Sequence, residues 1–159
     1  MVLILLRSPI HPHPDALHTN NRPIILFDGV CNLCNAAVNY VIDHDPEAQF
    51  RLGALQSTAG AALLASAGLP GEFLDSIILV EGGEVHTRSD AVLRIARRLT
   101  GPVRFLWWTR FVPRSIRDPA YQLVGRYRYN WFGKRDTCRL PTPGLMNRFI
   151  DPEGSAPAD

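Results

Sequence analysis

Long apolar runs are missing from the sequence. None approaches the ~18 residues that a membrane-crossing helix requires, and the run at the start, Val2 to Leu6, covers only five residues. A secretory signal needs an apolar centre of ~7 to 15 residues and a small-residue cleavage site, so the expectation is a cytoplasmic protein. Cysteine is scarce as well, with only Cys31, Cys34 and Cys138. That excludes a disulfide framework, and 159 residues that are 46% hydrophobic can bury a core without one. There is no second Cys-x-x-Cys and no internal repeat. Lysine is nearly absent, Lys134 being the single example.

Positive charge is thin over the first part of the chain, where residues 1–93 carry four arginines against ten acidic side chains. Residues 94–148 reverse this, with thirteen Lys or Arg against two Asp. Such a segment can attract an acidic partner or anionic lipid, whereas helices with solvated arginine faces are the plainer account. Nucleic acid is not an expected partner.

The chain then divides into elements. Pro23 opens "IILF" (Ile24 to Phe27), a short β-branched run that reads as a buried strand ending at Asp28-Gly29. Ala37, Val38, Val41 and Ile42 recur at helical spacing until Asp43 to Pro46 stops them, since proline cannot continue a helix. Gln49 to Leu55 alternates as a strand does, and the next helix has Ser57 or Thr58 as cap and Gly68 as terminator. Strands at Ile77–Glu81 and Glu84–Thr87, joined by Gly82-Gly83, form a hairpin. Ser89-Asp90 can cap a helix whose apolar stripe runs from Ala91 to Leu99. Beyond Gly101-Pro102 the chain turns aromatic and arginine-rich, giving one short helix, a break at Pro113 and a longer helix from about Asp118 to Tyr129. Residues 1–21, with His11, His13 and His18, read as a flexible leader in which metal binding is the rarer outcome. Residues 22–149 read as one domain that includes a helical extension over 102–149, and residues 150–159 as a disordered tail.

"DGVCNLCN" (Asp28 to Asn35) carries the chemistry. A helix beginning inside a Cys-x-x-Cys offers Cys31 the unpaired N–H groups and the positive dipole end that stabilise a thiolate. Its pKa should fall, making Cys31 the nucleophile and Cys34, one turn on, the resolving thiol. Zinc is the main rival; it would need Cys138 and either His44 or His86 to complete four ligands. Inert packing is the third reading.

Together with "TRSDA" and "RYNWFGKRDTCRLP", the cysteine motif resembles the DCC family of thiol-disulfide oxidoreductases, over about Pro23 to Phe149. The resemblance implies an α/β, thioredoxin-like core (β-α-β-α-β-β-α), about residues 22 to 100, followed by the C-terminal helical extension. It places the family's aspartate on Asp28, its cysteines on Cys31 and Cys34, its Ser-Asp pair on Ser89 and Asp90, and a later cysteine on Cys138. It implies no metal and no organic cofactor, with a disulfide-containing protein or a glutathione-type molecule as substrate.

Each residue has a structural reading beside the functional one. Asp28 either takes the proton of Cys34 or holds the Gly29-Val30 turn as an Asx-turn. Gly29 allows close approach to Cys31 or a positive φ. Ser89 and Asp90 either hold the γ-glutamyl end of glutathione or serve as a helix cap. Cys138 exchanges with the pair or packs. The aromatics Trp107, Trp108, Trp131, Tyr127 and Tyr129 fasten the extension to the sheet, unless "FLWWTRFVPR" lies in a membrane interface. Two departures from thioredoxins stand out: Val30 replaces the aromatic residue before the first cysteine, and Asp75-Ser76 stand where a cis-proline would precede the third strand.

Overall fold

A computed structural model of the chain describes residues 22–69, 77–134 and 145–151. The leader histidines, Asp75-Ser76 and Cys138 therefore lie outside the described residues. Strand β1 (Ile24–Phe27) is buried at every position because both of its faces are covered. Ile25 and Phe27 enter one core cluster while Ile24 and Leu26 enter another. A strand clothed on both sides needs an unbroken apolar run, and "IILF" supplies it.

Strand β2 (Arg51–Ala54) pairs with β1 in parallel, and β3 (Ile78–Glu81) pairs with the other edge of β1 antiparallel. Strand β4 (Glu84–Thr87) completes the order β2-β1-β3-β4 through the hairpin. Gly82 and Gly83 take φ values of 59° and 82°, the left-handed pair that a two-residue hairpin turn requires. Helices α1 (Asn32–His44) and α3 (Arg88–Arg98) contribute Val38, Val41, Ala91 and Ile95 to the cluster on one face, and α2 (Thr58–Ser66) packs Leu63 and Leu64 on the other. This is the β-α-β-α-β-β-α order of a thioredoxin-like core.

Local signals account for most boundaries. Ser57 caps α2, its oxygen accepting the Gly60 N–H at 3.1 Å, and Gly68 follows the helix at φ 65°. Helix α1 ends at Asp45, whose buried carboxylate accepts the N–H groups of Gln49 and Phe50, each at 3.1 Å. The same carboxylate receives Arg148 at 2.5 Å, which fixes the C-terminal segment. Beyond it the Ile150 N–H donates to the Leu52 carbonyl at 2.9 Å and covers the free edge of β2.

The helical extension departs from expectation in two ways. Residues Pro102–Phe111 form a 3-10 segment, and α4 runs over Arg114–Phe132 with Pro119 inside it. The helix starts right after Pro113, not near Asp118, and runs through Pro119, whose missing N–H removes one bond from its ladder. The beginning of α3 also differs. Thr87 occupies the cap position without a side-chain hydrogen bond, and Arg88 takes a left-handed φ of 55°. Ser89 is therefore not a cap. It is buried inside the helix and donates to Asp118 of α4 at 2.5 Å.

Candidate active site

The polypeptide leaves β1 at Asp28 and enters α1 at Asn32, so residues 28 to 31 form the junction. Asp28 is almost wholly buried, which forces every lone pair to find a donor. Its Oδ1 accepts the Val30 N–H at 3.1 Å, an Asx-turn, and the Gln56 Nε2 at 2.8 Å. Its Oδ2 accepts Arg128 at 3.0 Å and the Tyr129 hydroxyl. Arg128 is itself buried, with 3% of its side chain exposed. A charge pair this deep survives only because further hydrogen bonds complete it, as Gln56 and Tyr129 do here.

Cys31 is the N-cap of α1. Its Sγ accepts the N–H of Cys34 at 3.5 Å, so the two cysteines lie side by side across the first turn. Asn35 braces the turn from within, its Nδ2 donating to the carbonyls of Gly29 at 2.9 Å and Cys31 at 3.1 Å. The end of α4 folds back over the same spot. Asn32 Nδ2 donates to the Phe132 carbonyl at 2.8 Å, Cys31 bridges Lys134, and Lys134 lies over the Tyr129 ring. Both thiols are buried under this cover, Cys31 fully and Cys34 with 6% exposed.

The electrostatics of the pair are uneven. Burial, then the charge of Cys31 and the hydrogen bond with it, push the Cys34 thiol up to about 12, with Arg128 opposing. Burial and the hydrogen bond to Asp28 likewise push the Tyr129 hydroxyl up to about 12. Cys34 therefore keeps its proton at neutral pH.

The expected site residues separate into two groups. Asp28, Gly29, Cys31 and Cys34 come together, although Gly29 takes no positive φ and instead donates its N–H to Gln56 Oε1 at 3.1 Å. Ser89 and Asp90 are engaged by the extension: Ser89 bonds Asp118, and Asp90 meets Arg114 at 3.1 Å, with Arg94 and His86 each 3.7 Å away. Several anchors expected of the aromatics are corrected. Trp108 and Trp131 are largely exposed and Tyr127 is partly so, while Tyr129 reaches Asp28. Sequence reasoning did not find Arg128 or Gln56, which meet Asp28 from 100 and 28 residues away. Among the described residues no group of three or more His, Cys, Asp or Glu could hold a metal ion.

A mixed sheet with a Cys-x-x-Cys at the head of its first helix defines a thioredoxin-like class of protein. Within it, the chain belongs to the DCC1-like thiol-disulfide oxidoreductase family, whose model matches residues 25–134. The uncharacterized protein YuxK of Bacillus subtilis is 42% identical over 127 residues, covering 80% of this chain and 93% of that protein. A DCC family protein of Arabidopsis thaliana, described as chloroplastic, is 42% identical over 122 residues, 76% of this chain and 71% of that protein. No solved structure matches.

Proposed function

We propose that the protein reduces disulfides by dithiol exchange in a reducing compartment, the cytoplasm. One observation carries this reading: at the head of α1, Cys31 Sγ takes the Cys34 N–H while Cys34 holds its own proton. Cys31 is the residue at the helix head that receives a backbone N–H on its sulfur, which suits it to the attacking role. The Cys31 thiolate attacks a substrate sulfur, the substrate S–S bond breaks, and the departing sulfur takes up a proton. Cys34 then gives up its proton to solvent and attacks Cys31. That breaks the mixed disulfide, the second substrate sulfur leaves as a thiol, and Cys31 and Cys34 are left joined. The substrate has gained two electrons and two protons, and glutathione or a thioredoxin-type dithiol returns them to the pair.

The engagement of Ser89 and Asp90 by Asp118 and Arg114 favours a protein disulfide over glutathione as the substrate. Gly29 offers its neighbours no free polar group for that grip, since its N–H and carbonyl are used by Gln56 and Asn35.

Replacement of each cysteine tests the assignment. Cys34→Ser should trap a mixed disulfide on Cys31 with a disulfide substrate such as insulin, and Cys31→Ser should trap none; both should lose turnover. Equal trapping by the two variants would sink the assignment. The complete burial of Cys31 favours a second reading, a non-catalytic module with an unused dithiol whose arginine-rich segment docks an acidic partner. It predicts no turnover by the unaltered protein and partner capture unchanged by Cys31→Ser.

A further inference from the structure

The extension presents an apolar face that nothing among the described residues covers. On α4, Ile116, Leu123, Val124, Tyr127 and Trp131 recur at spacings that put them on one side. The opposite side carries the inward contacts, with Asp118 on Ser89, Tyr121 on the Ile77 N–H and Arg128 on Asp28. The 3-10 segment continues the outward face: Phe105, Trp108 and Phe111 are 66%, 66% and 68% exposed, and Ile116 at the start of α4 is 62% exposed. Large aromatics left this open mark an interaction surface.

Charge identifies what covers it. Arg104, Arg110, Arg114 and Arg126 are exposed on the same segment, while Asp118, the one acidic residue between 102 and 134, is turned inward to Ser89. Two copies of this face would bring arginine against arginine, which disfavours self-association. Beside it lies a groove of about 690 Å³ lined by Arg97, Arg110, Arg114 and Arg117 together with Glu81, Glu84 and Asp90, of which Asp90 pairs with Arg114. The guanidiniums of Arg97 and Arg110 both lie over the Trp107 ring, at 4.9 and 5.0 Å, and neither meets a carboxylate among the described residues. Arg117 Nη1 is buried without a partner. The first turn of α4 holds arginines and no acid, against the sign its dipole favours.

We propose that this face binds the surface of an anionic phospholipid bilayer. The aromatic side chains enter the headgroup boundary, and lipid phosphates settle against the exposed arginines Arg104, Arg110 and Arg126. The helix lies along the surface, as amphipathic interfacial helices do, and arginine forks suit phosphate oxygens. The reading stands whether or not the dithiol turns over, because it uses none of the same residues.

The test is co-sedimentation of the full chain with phosphatidylcholine vesicles and with vesicles containing phosphatidylglycerol, together with tryptophan emission. Binding should be confined to the anionic vesicles, weaken with salt, and shift the emission to the blue. Trp108→Ser/Phe111→Ser and Arg104→Gln/Arg110→Gln should each weaken it about tenfold or more, with melting temperature and disulfide reduction unchanged. Failure to bind anionic vesicles overturns the proposal. So does binding that survives both double substitutions, and so does a dimer in analytical ultracentrifugation that buries this face or an acidic protein partner that takes it in place of lipid.

Discussion

Asp28 shows how one residue ties chemistry to stability. Its buried carboxylate is neutralised by an arginine arriving from the far end of the chain, so removing that arginine strands a charge. Arg128→Met should cost roughly 3–5 kcal/mol in urea denaturation, the range for breaking a buried pair from one side. Asp28→Asn/Arg128→Met should recover part of that, and a cycle with no coupling between the two would refute the pairing. Gly60 matters for a different reason. A Cβ there would stand 2.1 Å from the Ala54 carbonyl oxygen, backbone that cannot step aside, so Gly60→Ala should cost about 1–3 kcal/mol by overpacking, again read from the urea midpoint. The cysteine pair and the Asx-turn of Asp28 were legible in the sequence because those contacts span two or three residues. Arg128 was not, since one arginine in an arginine-rich segment carries no mark of the contact it makes 100 residues away.

At the scale of elements, α4 behaves as part of the site more than as an appendage. Its N-terminal end is fastened through Asp118 to Ser89, and its C-terminal end through Arg128 and Tyr129 to Asp28. Gly133 then turns the chain at φ 76° so that Lys134 reaches Cys31. The strands, the hairpin and α1 to α3 could be read from run length, turn residues and caps, all local signals. The docking of α4 could not, because its outward face is the more apolar one and hydrophobic periodicity alone points that face at the sheet. Since the Asn32–Phe132 hydrogen bond is one of the contacts that hold the cover over the thiols, Asn32→Ala should loosen it. Reaction of the cysteines with a disulfide reagent under native conditions should then quicken several-fold while the urea midpoint moves by about 1 kcal/mol or less, the usual worth of one such bond. Unchanged reactivity would mean that access opens elsewhere.

For the molecule as a whole, the tightly held protons of Cys34 and Tyr129 make the reduced fold sensitive to alkali. Cys34 rises from an ordinary 9.0 to about 12 and Tyr129 from 10.0 to about 12. Both groups bind their protons more tightly folded than unfolded. The stability this contributes is fully present below pH 9.0 and is lost as pH climbs toward 12, because the unfolded chain gives up protons first and is favoured by doing so. Serine does not titrate in this range, so in Cys34→Ser only the Tyr129 share remains and the decline should begin later, near the ordinary tyrosine value of 10.0. Urea denaturation of the reduced proteins at intervals between about pH 8 and pH 11 would give the two curves. They should coincide in slope at the acid end and diverge above pH 9.0, the unaltered protein falling first. Groups that titrate alike in both proteins cancel in the comparison. Curves that run parallel throughout would mean that folding leaves the Cys34 proton as loosely held as in the open chain, and the division of labour between the two sulfurs would fall with it.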